Sequence, residues 1–211
     1  MLILSELPYH PPAAFFAALL QADGLVLEAQ ENYRKQTYRN RCLIRTAQGV
    51  QALTVPVVDG NRAKKVKTSD IDIDYRQNWV HRHWRTLQTA YGNSPYFEYY
   101  ADYLHDIYRT KPTRLFELNL AFLRLELRCF RLTLPVTFSI DYCIPGQQEP
   151  AEYLDRRDWL SPKAGGPGPD TPAALGRVRP YPQVFGPGFE PGLSILDLLF
   201  AQGPAAGRYL D

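Results

Sequence analysis

Hydrophobic and polar positions divide the N-terminal part of the chain into two short apolar runs around one helical segment. Leu2–Leu4 and Leu25–Leu27 have the composition of buried strands, and residues 13–21 place apolar side chains on one helical face, with Gly24 expected to end the helix. A strand, a helix and a strand within about thirty residues predict a crossover unit with parallel strands. The prolines of Pro8–Pro12 predict a rigid loop after the first strand, because each fixes its own φ and restricts the preceding residue.

Farther along, the pattern becomes alternating and predicts a β-hairpin. Segments 42–46 and 52–58 are its strands, and Gly49 supplies the positive φ of the turn. Residues 62–75 then alternate two isoleucines with three aspartates, which predicts a solvated strand edge rather than a metal site. The alternating residues are Asp70, Ile71, Asp72, Ile73 and Asp74.

Helical periodicity dominates the middle of the chain. It predicts helices at 77–92, 95–109 and 113–132, and short loops make these helices packing neighbours. The predicted core stripe of the third helix consists of Phe116, Leu120, Leu123 and Leu127.

The C-terminal part combines regular patterns with a glycine- and proline-rich stretch. A strand is predicted at 136–140, and a helix at 194–200 with Ser194 as its N-cap. Residues 161–180 predict a flexible loop. Together the patterns predict one α/β domain over 1–211, with a mixed sheet containing the β-α-β crossover, a hairpin, three or four clustered helices and a long Gly/Pro-rich loop near the C-terminus.

Composition and charge limit the classes of partner. The formal net charge is +2, so the totals do not indicate a general nucleic-acid partner. The cysteines Cys42, Cys129 and Cys143 lack C-x-x-C spacing and indicate neither a disulfide framework nor a zinc site; no metal and no cofactor is indicated. No run approaches the roughly 20 apolar residues of a membrane helix, and the N-terminus lacks the basic region of a signal peptide. We therefore expect a cytoplasmic protein without a membrane span, in which a homo-oligomer is left open.

The run from Glu31 to Cys42 is the densest group of polar and charged side chains. It follows the second predicted strand, and ligands of open α/β sheets bind beyond the carboxyl ends of strands. Lys35, Arg39 and Arg41, with Arg34 nearby, are candidates to bind an anionic group of a small molecule. The competing interpretation is a charged connection that forms ion pairs with the aspartates at 70–74.

Candidate acid–base groups come from the proline loop and the same run. Tyr9, His10 and Glu31 are the candidate catalytic residues, because a histidine near a crevice can act as a general base near neutral pH. The alternative for His10 is an ordinary surface residue. Cys42 beside Arg41 is either a cation-stabilised thiolate or a small core residue.

Two further residues are candidate ligand contacts. His83 lies on a helix face with two tryptophans, where a hydrogen-bonded packing role competes with ligand binding. Asp197 lies among leucines and is expected either to pair with Arg39 or Arg41 or to act as an anion at a helix N-terminus.

Several separated motifs resemble the WbqC-like protein family. They are the run 31–42, Leu53–Val57, the helix 79–97 with His83-Trp84 and Ser94-Pro95-Tyr96-Phe97, and the terminal segment 188–200. The resemblance covers nearly the whole chain apart from the Gly/Pro insertion at 161–176. Within the run, the residues that match the family are Lys35, Asn40 and Arg41.

The chain departs from the family pattern at two places. Many members have Gln-Pro-x-Tyr-Phe-Pro after the first strand, where this chain has Leu7-Pro8-Tyr9-His10-Pro11-Pro12. Members often carry an Asp after the second strand, where this chain has Glu28 followed by Ala29, so a carboxylate role shifts to Glu28 or Glu31.

The resemblance implies a bacterial setting and a link to sugar or surface-polysaccharide metabolism of the O-antigen type, with acyl transfer to an aminosugar as one reaction. The leading hypothesis is a transferase that acts on an aminosugar or nucleotide-sugar and binds its anionic group with the run 31–42. The alternative is a non-catalytic binding or assembly module in which the same run is an ion-paired connector.

Overall fold

The N-terminal crossover forms the centre of a four-stranded parallel sheet. In the computed structural model, which describes residues 1–58, 65–145, 153–162 and 178–211, strand β1 (Leu2–Ser5), helix α1 (Ala13–Leu19) and strand β2 (Gly24–Leu27) follow in order. β1 and β2 pair in parallel from Leu2 opposite Gly24 to Ser5 opposite Leu27. The predicted crossover is therefore confirmed. Gly24 does not end α1 as expected but begins β2, because the helix stops one turn earlier.

Two later strands complete this sheet. β5 (Val136–Phe138) pairs with β2, and β6 (Tyr153–Asp155) pairs with β1, so the order is β5-β2-β1-β6. All three pairings are parallel, and the carboxyl ends of the four strands meet at one edge. β6 was not predicted, since three residues beside a proline-rich stretch give no periodic signal.

The hairpin is a separate two-stranded sheet. β3 (Arg41–Thr46) and β4 (Gly49–Thr54) pair antiparallel, and Gly49 has a φ of 110° at the turn. The mixed α/β class and the hairpin are confirmed. The expected solvated strand at 62–75 is wrong for its described part: residues 68–70 form a 3₁₀-helix, and Ile71 and Ile73 are buried.

The remaining helices cover the hairpin and one face of the sheet. They are α2 (Trp79–Tyr91), α3 (Phe97–Thr110), α4 (Leu115–Cys129) and α5 (Ile195–Gln202), followed by a 3₁₀-helix at Gly203–Tyr209. Ser194 caps α5 as predicted, since its Oγ accepts a hydrogen bond from the Leu196 amide. Most of the predicted flexible loop, residues 163–177, lies outside the described residues.

Helices α4 and α5 connect two hydrophobic clusters. On α4, Leu118 and Phe122 pack in the cluster formed with the hairpin, whereas Leu123 and Leu127 pack in the cluster formed with the parallel sheet and α1. The predicted stripe was partly rotated, because Phe116 and Leu120 are only half-buried. The fully buried positions of α4 include two polar residues, Asn119 and Glu126.

The loop after β1 is held in place by the C-terminal part of the chain. The Ala13 amide donates to the Leu193 carbonyl at 3.0 Å, and the Ile195 amide donates to the Pro11 carbonyl at 2.7 Å. These two backbone bonds fix Pro8–Pro12 against the start of α5.

Within the described part of the chain, no helix is both long and apolar enough to cross a membrane.

Candidate functional site

The proline loop turns Tyr9 and His10 into the protein interior rather than toward solvent. Both side chains are fully buried, so the expectation that His10 is a surface residue is wrong. The Tyr9 amide donates to the Tyr38 carbonyl at 2.7 Å, and His10 has a φ of 43°, a left-handed conformation uncommon outside glycine. This backbone turn directs both rings at the helices α2, α3 and α4.

A chain of hydrogen bonds connects five side chains. His10 Nδ1 lies 2.7 Å from Glu126 Oε1, and His10 Nε2 lies 3.1 Å from the Tyr108 hydroxyl. The Tyr108 hydroxyl is 2.5 Å from that of Tyr9, which lies 2.9 Å from His83 Nδ1. His83 Nε2 ends the series 3.2 Å from a backbone carbonyl, that of Thr54. We call these five side chains the Glu126–His83 chain.

The carbonyl at one end fixes the direction of every donor. Because the Thr54 oxygen can only accept, His83 Nε2 carries the proton, and a neutral His83 then accepts at Nδ1 from Tyr9. Tyr9 accepts from Tyr108, which accepts from His10 Nε2. One more proton lies between His10 Nδ1 and Glu126. The bonds therefore run head to tail from Glu126 to the Thr54 carbonyl.

Burial shifts the ionisation of the chain toward neutral forms. Desolvation raises the pKa of Glu126 well above its ordinary value and lowers that of His10, which the neighbouring His83 lowers further. The pKa of His83 falls to about 4, mainly through desolvation. Burial also raises the pKa of Tyr9 and Tyr108. All of these shifts favour the neutral forms, which agrees with the directional hydrogen bonding of neutral groups.

His83 belongs at the same time to the wall of a surface groove. The groove has a volume of about 790 Å³ and lies between β4 and α2. Its lining combines polar and basic side chains with the apolar Ala52, Leu53 and Pro56, and no carboxylate contributes to it among the described residues. The lining includes Thr54, Gln77, His81, Arg82, Arg85 and Thr86. We call it the α2 groove.

The arginines of the α2 groove are available to an anion. Arg82 and Arg85 are exposed, and neither forms a salt bridge with another described residue. Within the described ranges, Arg82 Nη2 donates to a neutral group, Gln77 Oε1, at 3.3 Å. A guanidinium in such surroundings can bind a phosphate or carboxylate in bidentate fashion.

A second polar assembly lies at the carboxyl edge of the parallel sheet and consists of ions. The Arg39 guanidinium is completely buried and bonds both oxygens of Glu31 at 2.6 and 2.5 Å and Asp158 Oδ1 at 2.7 Å. The Asp158 amide donates to Glu6 Oε2 at 3.0 Å. We call Glu6, Glu31, Arg39 and Asp158 the ionic cluster.

The charges of the ionic cluster are strongly coupled. Desolvation raises the pKa of Glu6 to about 7, although the nearby Arg39 acts in the opposite direction. Desolvation alone would lower the pKa of Arg39, but its bonds to Glu31 and the surrounding carboxylates raise it overall. The predicted pairing of the run with the aspartates at 70–74 is wrong, because Arg39 pairs within the run and with Asp158.

Glu28, after β2, is also enclosed at this edge. It accepts from Ser139 Oγ at 2.5 Å, from the Cys143 amide at 3.0 Å and from Arg157 Nη1 at 3.1 Å. These bonds connect the ends of β2, β5 and β6. Glu28 is fully buried, and its hydrogen bonds hold the ends of the three strands next to one another.

The three residues of the run that match the family do not converge on one point. Lys35 is exposed. Asn40 is buried and donates to the Val55 carbonyl at 3.1 Å. Arg41 begins β3, is half-buried, and keeps a buried Nε that bonds to none of the described residues. None of them lines the α2 groove.

Asp197 forms a salt bridge with none of the described arginines, contrary to one expectation, and lies in the first turn of α5, as the other expectation had it. Its carboxylate is buried and accepts from Tyr91 at 2.8 Å, from Tyr181 at 2.7 Å and from Gln183 at 3.0 Å. Desolvation raises its pKa, while the hydroxyl and amide donors partly offset that effect. Asp197 thereby ties α5 to α2 and to the segment at 181–183.

Cys42 is a core residue. It is fully buried, and desolvation raises the pKa of its thiol well above the ordinary value, with Glu126 adding to the increase. The thiolate interpretation is therefore wrong for this structure.

Sequence reasoning assigned no role to Glu126, Tyr108, Glu6 or Asp158. A signal existed for Glu126: it lies seven residues after Asn119, and both occupy the apolar side of a predicted helix, where polar residues are informative. The other three have no such pattern, because their partners are distant in sequence.

The described residues contain no group of three or more His, Cys, Asp and Glu side chains arranged to hold a metal ion.

Comparison with known proteins supplies the family. The model of the WbqC-like protein family matches residues 8–165 and 174–209. A protein of Mycobacterium tuberculosis named "Uncharacterized protein Rv1507c" is 32% identical over 226 aligned residues, which cover 96% of this chain and 94% of that protein. No solved structure matches. The chain belongs to the WbqC-like protein family.

Proposed function

We propose that this protein is a group-transfer enzyme acting on a sugar that carries an anionic group, such as a sugar phosphate or nucleotide-sugar. The proposed binding site is the α2 groove, and the proposed acid–base residue is His83. The observation that carries the proposal is the double position of His83, which lines the groove and also ends a buried hydrogen-bond chain. Glu31, Tyr9 and His10, the earlier catalytic candidates, have buried partners instead and act behind His83 or in the fold.

The character of the groove supports an anionic, hydroxyl-rich ligand. Arg82 and Arg85 offer charge-assisted bonds to a phosphate, while Gln51, Gln77 and Thr86 offer donors and acceptors for hydroxyl groups. A neutral imidazole at His83 can give or accept a proton at a sugar hydroxyl or amine. The family resemblance supports the sugar and polysaccharide setting, with an aminosugar as acceptor.

Binding of defined probes tests this proposal. Calorimetric titration with UDP-N-acetylglucosamine and glucosamine 6-phosphate should give saturable binding to the wild type. The double variant Arg82→Gln/Arg85→Gln loses the two cations that bind the phosphate, so it should bind at least about tenfold more weakly. A tenfold change in affinity corresponds to about 1.4 kcal/mol. The matched control is Arg124→Gln/Arg128→Gln, two exposed arginines of α4 outside the groove, which should leave affinity unchanged.

Two outcomes would contradict the proposal. One is the absence of binding for every sugar phosphate and nucleotide-sugar tried; the other is equal affinity of the wild type and the groove variant. His83→Gln should retain binding and lose transfer, because glutamine keeps a hydrogen-bonding amide but cannot exchange a proton.

A second candidate function has its own supporting observation. In a non-catalytic binding or assembly module, the run 31–42 serves as a connector, and the buried pairing of Arg39 with Glu31 and Asp158 favours that role for the run. Binding in the α2 groove that is unaffected by His83→Gln, without turnover of any acyl or glycosyl donor, would support the module.

A further inference from the structure

The Glu126–His83 chain has a feature that a purely structural network does not need. Every link between the five side chains joins groups that can both give and accept a proton. The last donor, His83 Nε2, bonds the Thr54 carbonyl, and His83 and Thr54 both line the α2 groove. A carboxyl group, two imidazoles and two phenols in sequence contain no interposed amide, ammonium or guanidinium that would interrupt proton exchange.

The inner end of the chain is isolated from charge. Glu126 faces His10 from the proline loop, Tyr108 from α3 and Cys42 from β3, and Cys129 lies on its own helix. No arginine or lysine among the described residues forms a salt bridge with it. The raised pKa of Glu126 and the lowered pKa of His10 agree with a proton on the carboxyl group.

The second oxygen of Glu126 points to the same protonation state. Oε2 is buried and bonds to none of the described residues. An unpaired oxygen of a buried carboxylate is far more costly than the unpaired carbonyl of a carboxylic acid. Protonation at Oε1, which faces His10 Nδ1 at 2.7 Å, leaves only a carbonyl without a partner.

We propose that the Glu126–His83 chain is a proton relay in which buried Glu126 stores the proton that His83 exchanges with a group bound in the α2 groove. The residues between them are positioning and proton-conducting residues. The relay rests on the proposed function only for the identity of the group in the groove.

The transfer balances bond by bond. His83 Nε2 releases its proton to an acceptor that replaces the Thr54 carbonyl, and Nδ1 takes the proton of Tyr9. Tyr9 takes the proton of Tyr108, which takes the proton of His10 Nε2. His10 Nδ1 then takes the proton of Glu126. The N–H and O–H bonds broken equal those formed, one proton enters the groove, and Glu126 becomes a carboxylate; the reverse order returns the proton.

The protonation state of Glu126 can be measured in the free protein. The infrared difference spectrum of wild type minus Glu126→Gln at neutral pH should show the C=O stretch of a protonated carboxylic acid. The other buried acids cancel in the difference. Glutamine can donate to His10 Nδ1 as the acid does, so the variant keeps the bonded chain. A difference that contains only carboxylate bands overturns the proposal.

Nitrogen NMR of the histidines in the wild type tests the donor-to-acceptor direction of the hydrogen bonds in the Glu126–His83 chain. His10 and His83 should each be neutral and protonated at Nε2, with Nδ1 unprotonated. The protein has four histidines, so the variants His81→Gln and His105→Gln identify the resonances of the other two rings. A proton on His83 Nδ1 overturns the relay even if Glu126→Gln fails to fold.

Coupling between the two ends separates a relay from static packing. Glu126→Gln should shift the His83 nitrogen resonances, and the same substitution in a Tyr108→Phe background should not, since the phenyl ring lacks the hydroxyl that joins the halves. Equal shifts in both backgrounds overturn the proposal. None of these measurements uses a ligand, so failure of the proposed sugar binding leaves them interpretable.

Discussion

This protein buries two polar assemblies and compensates their loss of water in opposite ways. The ionic cluster surrounds one guanidinium, Arg39, with carboxylates from three segments of the chain, and the bonds of this guanidinium to Glu31 and Asp158 join charged groups. In the Glu126–His83 chain, by contrast, desolvation shifts the pKa of each group toward its neutral form, and the bonds are directional. The ionic cluster lies at the sheet edge, where Asp158 is partly exposed, whereas His83 at one end of the Glu126–His83 chain lines the α2 groove. The comparison teaches that paired charge fixes strand ends here, while neutral groups provide a path for a proton.

The largest expected effect is on stability, and it comes from replacing Arg39. Arg39→Met removes the buried cation and leaves Glu31 and Asp158 uncompensated, so the free energy of unfolding should fall by about 3–5 kcal/mol. Urea unfolding measures the change. The control is Arg34→Met, which bonds the same Asp158 from an exposed position and should cost less than about 1 kcal/mol. Equal losses would mean that the cluster does not behave as a buried ion network.

Glu6 makes the ionic cluster sensitive to pH. Its pKa of about 7 in the folded protein lies above the ordinary 4.5, so the folded state holds this proton more tightly between those values. The stabilisation by the bound proton is fully present below the ordinary pKa of 4.5 and is lost as the pH rises through the folded-state pKa of about 7. The free energy of unfolding changes by about 3 kcal/mol over this range.

Unfolding experiments at about pH 5 and about pH 8 measure this dependence. In the wild type, the contribution of Glu6 should lower the free energy of unfolding at the higher pH. Glu6→Gln should remove that decrease and make the protein more stable than the wild type at the higher pH. The same slope in both proteins would assign the dependence to another group.

Tyr108→Phe cuts the Glu126–His83 chain in its middle. The hydroxyls of Tyr108 and Tyr9 and the Nε2 of His10 depend on one another, so the substitution leaves buried donors and acceptors unpaired and should cost about 1–3 kcal/mol. Thermal unfolding measures the cost. Tyr103→Phe, at an exposed position of α3, should change stability by less than about 0.5 kcal/mol. A neutral effect of Tyr108→Phe would show that the hydroxyl is not part of a satisfied network.

The smallest expected effect is that of a Glu→Gln substitution in the Glu126–His83 chain, and the same substitution in the ionic cluster serves as its comparison. Glu126→Gln replaces a neutral acid by a neutral amide and should alter the free energy of unfolding by less than about 1 kcal/mol. Glu31→Gln removes a charge from the partner of Arg39 and should cost about 2 kcal/mol. Chemical denaturation of both variants at neutral pH gives the comparison. A larger loss of stability for Glu126→Gln than for Glu31→Gln would indicate that Glu126, and not Glu31, is the charged carboxylate.

Local patterns predicted much of the fold. The crossover, the hairpin and the cap at Ser194 depend on neighbouring residues, so periodicity and turn chemistry were sufficient. The strand β6 and the buried Ile71 and Ile73 were missed, because short segments acquire their structure from partners elsewhere in the chain.

The candidate site was predictable only in part. Tyr9, His10 and His83 were recognised as chemically interesting, and the structure brings Tyr9 and His10 into one network with His83. Their burial and their connection through Tyr108 to Glu126 were not predicted, since His10 and Glu126 are 116 residues apart in sequence. Lys35, Arg39 and Arg41 attracted attention as charges, but composition alone does not show that Arg39 is the buried one.

The two backbone bonds between the proline loop and the start of α5 have a consequence for the order of folding. The loop is synthesised well before α5, so its bonds to Leu193 and Ile195 become possible only after the segment that begins α5 has been made. Contacts of such high sequence separation close slowly. A nascent chain can therefore form the β-α-β unit early, while the left-handed turn at His10 acquires its support last. The alignment of the two imidazoles therefore depends on a segment that is synthesised long after the proline loop.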